Sequence, residues 1–264
     1  IQQIPKESII RSFFIPKLDW IVEADYSQLE LRVAALLSGD TRLIEAYRKG
    51  EDLHYKTASL IFGKPIEEIS NEERAVAKAI NFGVLYGIGA KGLKETLAEL
   101  GMEISEQKAE EFIKKFFLSY PELSTWVTDQ KSKVKNQGYV QTLFGRKRRL
   151  PNDDEESVRQ GVNAPVQGTG SDLTQFALLQ IHAALKARKL KSHIIATVHD
   201  SIILDVADDE LFEVLVIIKE KAEAGVMDVI RQKVPDLKEE NLVPLKMDIS
   251  IGKSWGEVEE LDDF

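Results

Sequence analysis

Two aspartates, Asp25 and Asp200, stand at the ends of apolar stretches of the sequence, DWIVEADYS and ATVHDSIILDV. Both stretches have the composition of buried strands. Two carboxylates at close range repel each other unless a cation lies between them, and Mg²⁺ prefers one or two carboxylates together with phosphate oxygens and water. If one antiparallel sheet brings the strands together, the pair predicts metal-assisted phosphoryl transfer. The alternative is a pair of unrelated turn or helix-cap residues, which is the commoner role of such aspartates.

A second group lies on one predicted helix, SNEERAVAKAINFGVLYG. Ser70 and Glu73 have the spacing of a capping box, so the helix is expected to begin there. Four side chains at intervals of four residues share one of its faces: Arg74, Lys78, Phe82 and Tyr86. The cations suit a triphosphate and the aromatic rings suit a base. The alternative is a surface helix with ordinary basic residues and two core aromatics.

Composition limits the class of protein. The chain has 264 residues, of which 43% are hydrophobic, enough for one large domain or two smaller ones. No apolar run approaches the roughly 20 residues of a membrane helix, which predicts a soluble protein without a membrane partner. Cysteine is absent, so disulfides and thiolate metal sites are excluded. The first residue is not Met, which favours a fragment or a processed chain.

The charge distribution leaves nucleic-acid binding open. The net charge of −9 argues weakly against a nucleic-acid partner. However, GRKRRLP (145–151) holds four consecutive basic residues, directly before the acidic segment NDDEE (152–156). A local basic cleft is compatible with an acidic total, and a solvated loop is the alternative.

The elements that must position these residues do not alternate regularly. A strand at 19–27 precedes a helix that stops at Gly39, and helical patterns then continue to about residue 134. The later elements are a hairpin at 138–151, a helix at 171–190, two strands at 192–206 joined at His199 and Asp200, a helix at about 210–234 and a strand at 243–252. This order predicts an α+β fold in which a helical middle is inserted into a sheet-based domain.

Three segments resemble the polymerase motifs of the family A DNA polymerases, the bacterial DNA polymerase I type. They are DYSQLELR (25–32), RAVAKAINFGVLYG (74–87) and VHD (198–200), in the order of that family. The segments DLHYKTA (52–58), TLFGRKRRLP (142–151) and RQGVNAPVQGTGSD (159–172) are similar to further family segments. The resemblance covers nearly the whole chain, from QQIP to GKSW.

The resemblance implies a right-hand polymerase that performs template-directed DNA synthesis, by two-metal nucleotidyl transfer from a dNTP to a primer 3′-OH. The palm, with its antiparallel sheet, would comprise residues 1–33 and 156–264, and the inserted helical fingers residues 34–155. The thumb would be absent from this chain, in an upstream portion of the same parent or in a separate chain. Alone, the chain is expected to hold primer–template DNA weakly.

The resemblance also implies roles for single residues. Asp25, Asp200 and the backbone carbonyl of Tyr26 would bind two Mg²⁺ ions, with Mn²⁺ as the alternative, and Lys78 would donate a proton to pyrophosphate. Glu30 would be the steric gate against a ribose 2′-OH. The residues at the incoming nucleotide would be Gln28, Glu30, His54, Arg74, Lys78, Phe82 and Tyr86. The residues at the primer–template would be Arg159, Asn163, Gln167 and His199.

One residue departs from the family pattern, which usually continues as VHDE. Here Ser201 follows Asp200, and serine cannot supply a carboxylate. Asp205 is too far along the strand to replace it, since four residues span about 13 Å. Weaker metal affinity or an altered metal preference is therefore expected, rather than inactivity.

Two alternative functions stay open, a reverse transcriptase-active variant of the same family and a non-catalytic nucleic-acid-binding remnant. The intact Asp25, Asp200, Arg74 and Lys78 argue against a remnant, whereas Ser201 and the expected absence of the upstream portion favour one. Glu30 favours deoxynucleotides but does not define the template. Replication or repair is expected in the cytoplasm of a bacterial or phage-infected cell, or in another intracellular compartment that contains DNA.

Overall fold

The computed structural model of the chain describes residues 3–5, 9–151 and 154–261. Residues 152 and 153 of the acidic segment lie outside the described residues. The described strands are β1 (Trp20–Tyr26), β2 (Tyr139–Gln141), β3 (Lys147–Arg149), β4 (His193–Val198), β5 (Ser201–Val206), β6 (Met247–Gly252) and β7 (Glu259–Glu260). The described α-helices are α1 (Leu29–Ser38), α2 (Thr41–Arg48), α3 (Leu53–Phe62), α4 (Asn71–Leu85), α5 (Ala90–Glu99), α6 (Glu106–Ser119), α7 (Pro121–Gln137), α8 (Glu155–Ala187), α9 (Leu211–Lys219) and α10 (Val226–Lys233).

The chain divides into two compact units. The sheet unit comprises Ile1–Leu29, Gly170–Asp236 and Pro244–Phe264, and the helical unit comprises Glu30–Thr169 and Leu237–Val243. The change from one unit to the other thus falls inside α8, between residues 169 and 170, and the predicted boundary between fingers and palm falls between residues 155 and 156. None of the described helices is long and apolar enough to cross a membrane.

The sheet unit is built on five antiparallel strands in the order β4-β5-β1-β6-β7. All six residues of β5 are buried, which explains its nearly continuous apolar sequence. The one charged residue of β5 is Asp205, whose two carboxylate oxygens accept hydrogen bonds from the backbone amides of Lys17 and Leu18 at 2.8 and 3.0 Å. These bonds make a buried carboxylate tolerable in the centre of a sheet.

A π-helical segment, Glu220–Gly225, interrupts what the sequence predicts as one helix at about 210–234. The buried hydroxyl of Tyr26 donates a hydrogen bond to the carbonyl of Ala222 in this segment, at 2.6 Å. Burial raises the pKa of Tyr26 above its usual value. Such local widening of a helix is rare, and sequence periodicity does not reveal it.

In the helical unit, α4 begins as predicted. The Ser70 hydroxyl accepts from the Glu73 amide at 3.2 Å, and the Glu73 carboxylate accepts from the Ser70 amide at 3.1 Å. The predicted apolar face of the helix is buried and consists of Val76, Ile80 and Val84. Packing of this face leaves the polar stripe on the other side of α4.

Helix α8 begins at Glu155, earlier than the predicted start at 171. Helix propensity predicts the later start, because the part of α8 before residue 171 contains Pro165 and several glycines, which disfavour helices. Two of the glycines are needed for close packing. A Cβ at Gly161 would lie 2.2 Å from Cγ2 of Val134, and one at Gly168 would lie 2.6 Å from Cγ2 of Thr142.

Candidate active site

The two candidate metal-binding aspartates lie at one end of neighbouring strands. Asp25, near the end of β1, pairs in register with Ser201, the first residue of β5. Asp200 immediately precedes Ser201 in the two-residue turn after β4, where His199 has a φ of 56°. Antiparallel pairing of β1 with β5 therefore brings together two residues that are far apart in sequence. Asp25 is exposed and Asp200 is half-buried.

Ser201 contacts one of these carboxylates directly. Its Oγ donates a hydrogen bond to Oδ1 of Asp25 at 2.8 Å, and the serine side chain is buried. The hydroxyl thus orients Asp25 and adds no charge of its own. On the other side of β1, Asp248 of β6 pairs in register with Asp25.

The donor set fits a hydrated divalent cation. Within the described part of the chain, no three His, Cys, Asp or Glu side chains are grouped so that they could hold a metal ion. Two carboxylates at the end of a sheet instead suit an ion that takes its other ligands from water and phosphate oxygens, as Mg²⁺ does. The predicted set of Asp25, Asp200 and the Tyr26 carbonyl is compatible with such an ion.

The remaining predicted residues of the sheet unit flank this acidic end. Gln28 follows β1 with a φ of 52°, in the left-handed region that few non-glycine residues adopt. Its side chain is half-buried, whereas that of His199 is exposed.

The polar face of α4 belongs to the helical unit. Lys78 is exposed, whereas Arg74, Phe82 and Tyr86 are half-buried. Tyr86 is the C-cap residue of the helix, and its hydroxyl donates a hydrogen bond to the carboxylate of Glu30. This hydrogen bond connects Glu30, the predicted steric gate, to Tyr86, an aromatic residue predicted to lie near the base.

Arg74 makes an ion pair with Asp52, the N-cap residue of α3. Nε and Nη2 of Arg74 donate to Oδ2 of Asp52 at 3.1 and 2.7 Å. Partial burial raises the pKa of Asp52, but the Arg74 guanidinium and the amides of Tyr55 and His54 outweigh it and hold this pKa below its usual value. Asp52 is therefore ionised at neutral pH.

His54 is buried, with 3% of its surface exposed. Burial lowers its pKa to about 4, an effect that the Asp52 carboxylate opposes and the charges of Arg74 and Lys78 reinforce. The ring is neutral at neutral pH. Nδ1 lies 2.9 Å from Nδ2 of Asn81, and in this orientation of the amide the ring proton is on Nε2. His54 thus carries one N–H donor, on Nε2, and no positive charge.

The predicted primer–template residues of α8, spaced four apart, lie on one face of the helix: Arg159, Asn163 and Gln167. Arg159 makes an ion pair with Glu156. A cavity of about 550 Å³ is lined by Asn163 and Gln167 together with three basic residues of the β2–β3 hairpin, Arg146, Lys147 and Arg148. Oδ1 of Asn163 is buried and has no hydrogen-bond partner among the described residues. Amides and cations together suit a sugar–phosphate backbone.

Two features of the helical unit were not assigned from the sequence. Asp52 has the residue type and position of a helix N-cap, but its ion pair with Arg74 joins residues of two different helices. The sequence of the basic run is compatible with either a solvated loop or a cleft, and the structure places three of its residues around a cavity. Both features depend on tertiary placement.

Comparison with known proteins identifies relatives over nearly the full chain. Residues 1–257 match the profile of DNA polymerase family A. The chain is 40% identical over 247 residues to a DNA polymerase of Bacillus phage SP01, covering 91% of this chain and 26% of the relative. It is 36% identical over 257 residues to DNA polymerase I of Lactococcus lactis subsp. lactis, covering 94% of this chain and 27% of that protein.

A solved structure gives the same result at the level of the fold. The POL domain of Pol1 from M. smegmatis, in complex with DNA primer-template and dNTP, matches with a TM-score of 0.81 at 30% identity. The match covers 98% of this chain and 45% of that chain, and it confirms the predicted α+β polymerase fold. The chain spans about a quarter of the length of the curated relatives it matches.

Proposed function

Because the chain belongs to DNA polymerase family A, we propose that it catalyses template-directed DNA synthesis, with a dNTP and primer–template DNA as its partners. The observation that carries this proposal is the juxtaposition of Asp25 and Asp200 at one end of neighbouring strands. The related POL domain, solved with primer-template and dNTP, supports the assignment of these partners. Such a reaction would take place in an intracellular compartment that contains DNA.

Polymerases of this family use divalent metal ions, and we assign two Mg²⁺ ions to this chain, with Mn²⁺ as the alternative. Asp25, Asp200 and the Tyr26 carbonyl would hold them. The ions would neutralise charge on the attacking and leaving oxygens of an in-line phosphoryl transfer. Ser201 keeps the Asp25 carboxylate oriented through its hydrogen bond to Oδ1.

The polar face of α4 would bind the incoming nucleotide. Arg74 and Lys78 would contact the phosphates, and Lys78 would return a proton to the departing pyrophosphate. Phosphoryl transfer requires mainly positioning and charge neutralisation, which two cations on one helix face can supply. Phe82 would pack against the nucleotide and Tyr86 would lie near the templating base. His54 and Gln28 would complete the nucleotide-binding set.

The cavity beside α8 would hold the primer–template. Asn163 and Gln167 can hydrogen-bond base edges from the minor groove, where the purine N3 and pyrimidine O2 acceptors occur in every pair. The neighbouring Arg146, Lys147 and Arg148 would bind backbone phosphates. Arg159 and His199 would contact the same duplex. The assignment of residues 1–33 and 156–264 to a palm, and of 34–155 to fingers, remains a prediction.

A primer-extension assay tests the proposal. With the chain in excess over a labelled primer–template, we expect nucleotides to be added according to a DNA template, and EDTA to stop the reaction. Chain that binds primer–template but adds no nucleotide would favour the non-catalytic remnant. Equal extension on an RNA template would favour the reverse transcriptase-active variant.

The residue at position 201 should control the metal requirement. We expect Ser201→Glu to lower the Mg²⁺ concentration for half-maximal extension by about threefold to tenfold, because carboxylates increase the affinity of oxygen-ligand sites for divalent cations. The measurement is the extension rate over Mg²⁺ and Mn²⁺ titrations. Ser201→Gln is the matched control, since it has a similar size without the charge. An unchanged metal requirement in Ser201→Glu would contradict the prediction.

A further inference from the structure

Asp52 connects two helices through both oxygens of its carboxylate. Oδ1 accepts hydrogen bonds from the backbone amides of His54 and Tyr55 at 2.8 and 3.1 Å, which caps α3. Oδ2 accepts from Nε and Nη2 of Arg74, in the first turns of α4. One carboxylate therefore fixes both the start of α3 and a side chain to which the nucleotide phosphates are assigned.

The aromatic ring of Tyr55 also contacts the guanidinium of Arg74. Its ring centroid lies 5.1 Å from Cζ of Arg74. Its hydroxyl donates to Oδ1 of Asn71, the first residue of α4, at 3.1 Å. The Arg74 side chain is nevertheless 33% exposed, so these contacts do not enclose it.

The remaining donors of Arg74 stay available in this arrangement. A guanidinium carries five N–H groups in a rigid fork, and the pair with Asp52 engages the Nε–H and one N–H of Nη2. The other N–H groups project from the same plane and suit a bidentate contact with phosphate.

Fixing Arg74 in advance has a consequence for binding. A long side chain loses rotamer freedom when it binds a ligand, and this loss weakens affinity unless the side chain is ordered beforehand. Asp52 and Tyr55 order Arg74 without any nucleotide being present. Lys78, one turn further along α4, is exposed and carries its charge on a flexible stem.

We propose that Asp52 is a positioning residue for the nucleotide, which holds Arg74 so that its outer N–H groups meet the phosphates of the dNTP. This inference rests on the proposed function, because that function assigns the triphosphate to Arg74. The opposite role for Asp52 is competition with the phosphates for the guanidinium. The two roles predict opposite changes in nucleotide affinity when Asp52 is replaced. Removal of a positioning residue weakens nucleotide binding, whereas removal of a competitor strengthens it.

The test compares Asp52→Asn with a matched control. Asparagine caps helices about as well as aspartate, so this variant removes the charge and retains an acceptor for α3. Glu51→Gln removes the same charge one residue earlier, where the carboxylate pairs with Lys56 at 2.5 Å. Each variant is made alone and with Arg74→Ala. The readouts are the KM and kcat of primer extension and, separately, the Kd of the chain for a fluorescent dNTP.

We expect Asp52→Asn to raise both the dNTP KM and the Kd by about tenfold, with kcat within about threefold, because one charge-assisted contact orients the guanidinium. Glu51→Gln should change KM by less than about twofold, because the half-buried pair of Glu51 with Lys56 does not include Arg74. In the Arg74→Ala background, Asp52→Asn should have no further effect on Kd, because its partner is absent.

Three results would overturn the positioning role: a lower KM in Asp52→Asn, an equal loss of affinity with and without Arg74, or an unchanged Kd. Failure of the proposed function looks different. It would appear as a parent chain that binds the fluorescent dNTP but extends no primer, and the Kd values of the variants would still decide the role of Asp52.

Discussion

An Asp200→Ala chain is expected to add nucleotides at least about a thousandfold more slowly than the parent chain, while its affinity for primer–template DNA stays within about twofold. Asp200 would be one of only two carboxylates that hold the divalent ions. Removing one electrostatic stabiliser from a preorganised site typically costs about a hundredfold to a thousandfold, and the loss of a metal ligand adds to that effect. DNA binding should persist because the cavity beside α8 lies in the helical unit and contains neither aspartate.

Single-turnover extension and an equilibrium DNA-binding titration measure the two quantities separately. Asp209→Ala is a suitable control, because Asp209 is exposed in the same unit and pairs with Lys191 at 3.0 Å. Its extension rate should match that of the parent chain. Extension by Asp200→Ala at a tenth of the parent rate would exclude Asp200 as an essential metal ligand.

The second large effect concerns the choice of sugar. In Glu30→Ala we expect the preference for dNTP over the matching rNTP to fall by about a hundredfold, because the side chain that would exclude a 2′-OH is removed. The hydrogen bond from the Tyr86 hydroxyl holds the Glu30 carboxylate in place. A positioned carboxylate excludes a hydroxyl more effectively than a mobile one.

That contact also supplies a graded control. Tyr86→Phe keeps the ring and removes the hydroxyl, so it should reduce the sugar preference by a smaller factor than Glu30→Ala. The ratio of kcat/KM for dNTP and rNTP on one template is the measurement. If Glu30→Ala retained the parent ratio, another residue would have to exclude the ribose hydroxyl.

Sequence reasoning was most successful where local signals decide the structure. The capping box of Ser70 and Glu73 predicted the start of α4, and its apolar positions are buried. Two apolar runs flank His199 and Asp200 and predict a turn between them, and the structure contains the strands on either side. Both signals lie within a few residues of the features that they specify.

The missed features depend on contacts between distant residues. Gly161 and Pro165 lower helix propensity, yet α8 runs through them, and Gly161 allows Val134 to pack closely against the helix. The ion pair of Arg74 with Asp52 and the hydrogen bond of Ser201 with Asp25 likewise join different elements. No periodicity in the sequence encodes such partners.

The strand order of the sheet also has a consequence for synthesis of the chain on the ribosome. Strand β1 is made before its partners β5 and β6, which begin only at residues 201 and 247. At a translation rate of roughly 5–20 residues per second, β1 remains unpaired for about ten seconds or longer before β5 is synthesised. All the α-helices assigned wholly to the helical unit are complete before that time. The acidic residues Glu23 and Asp25 interrupt the apolar run of β1. The carboxylate that we assign to the metal site is therefore also expected to oppose aggregation of the unpaired nascent strand.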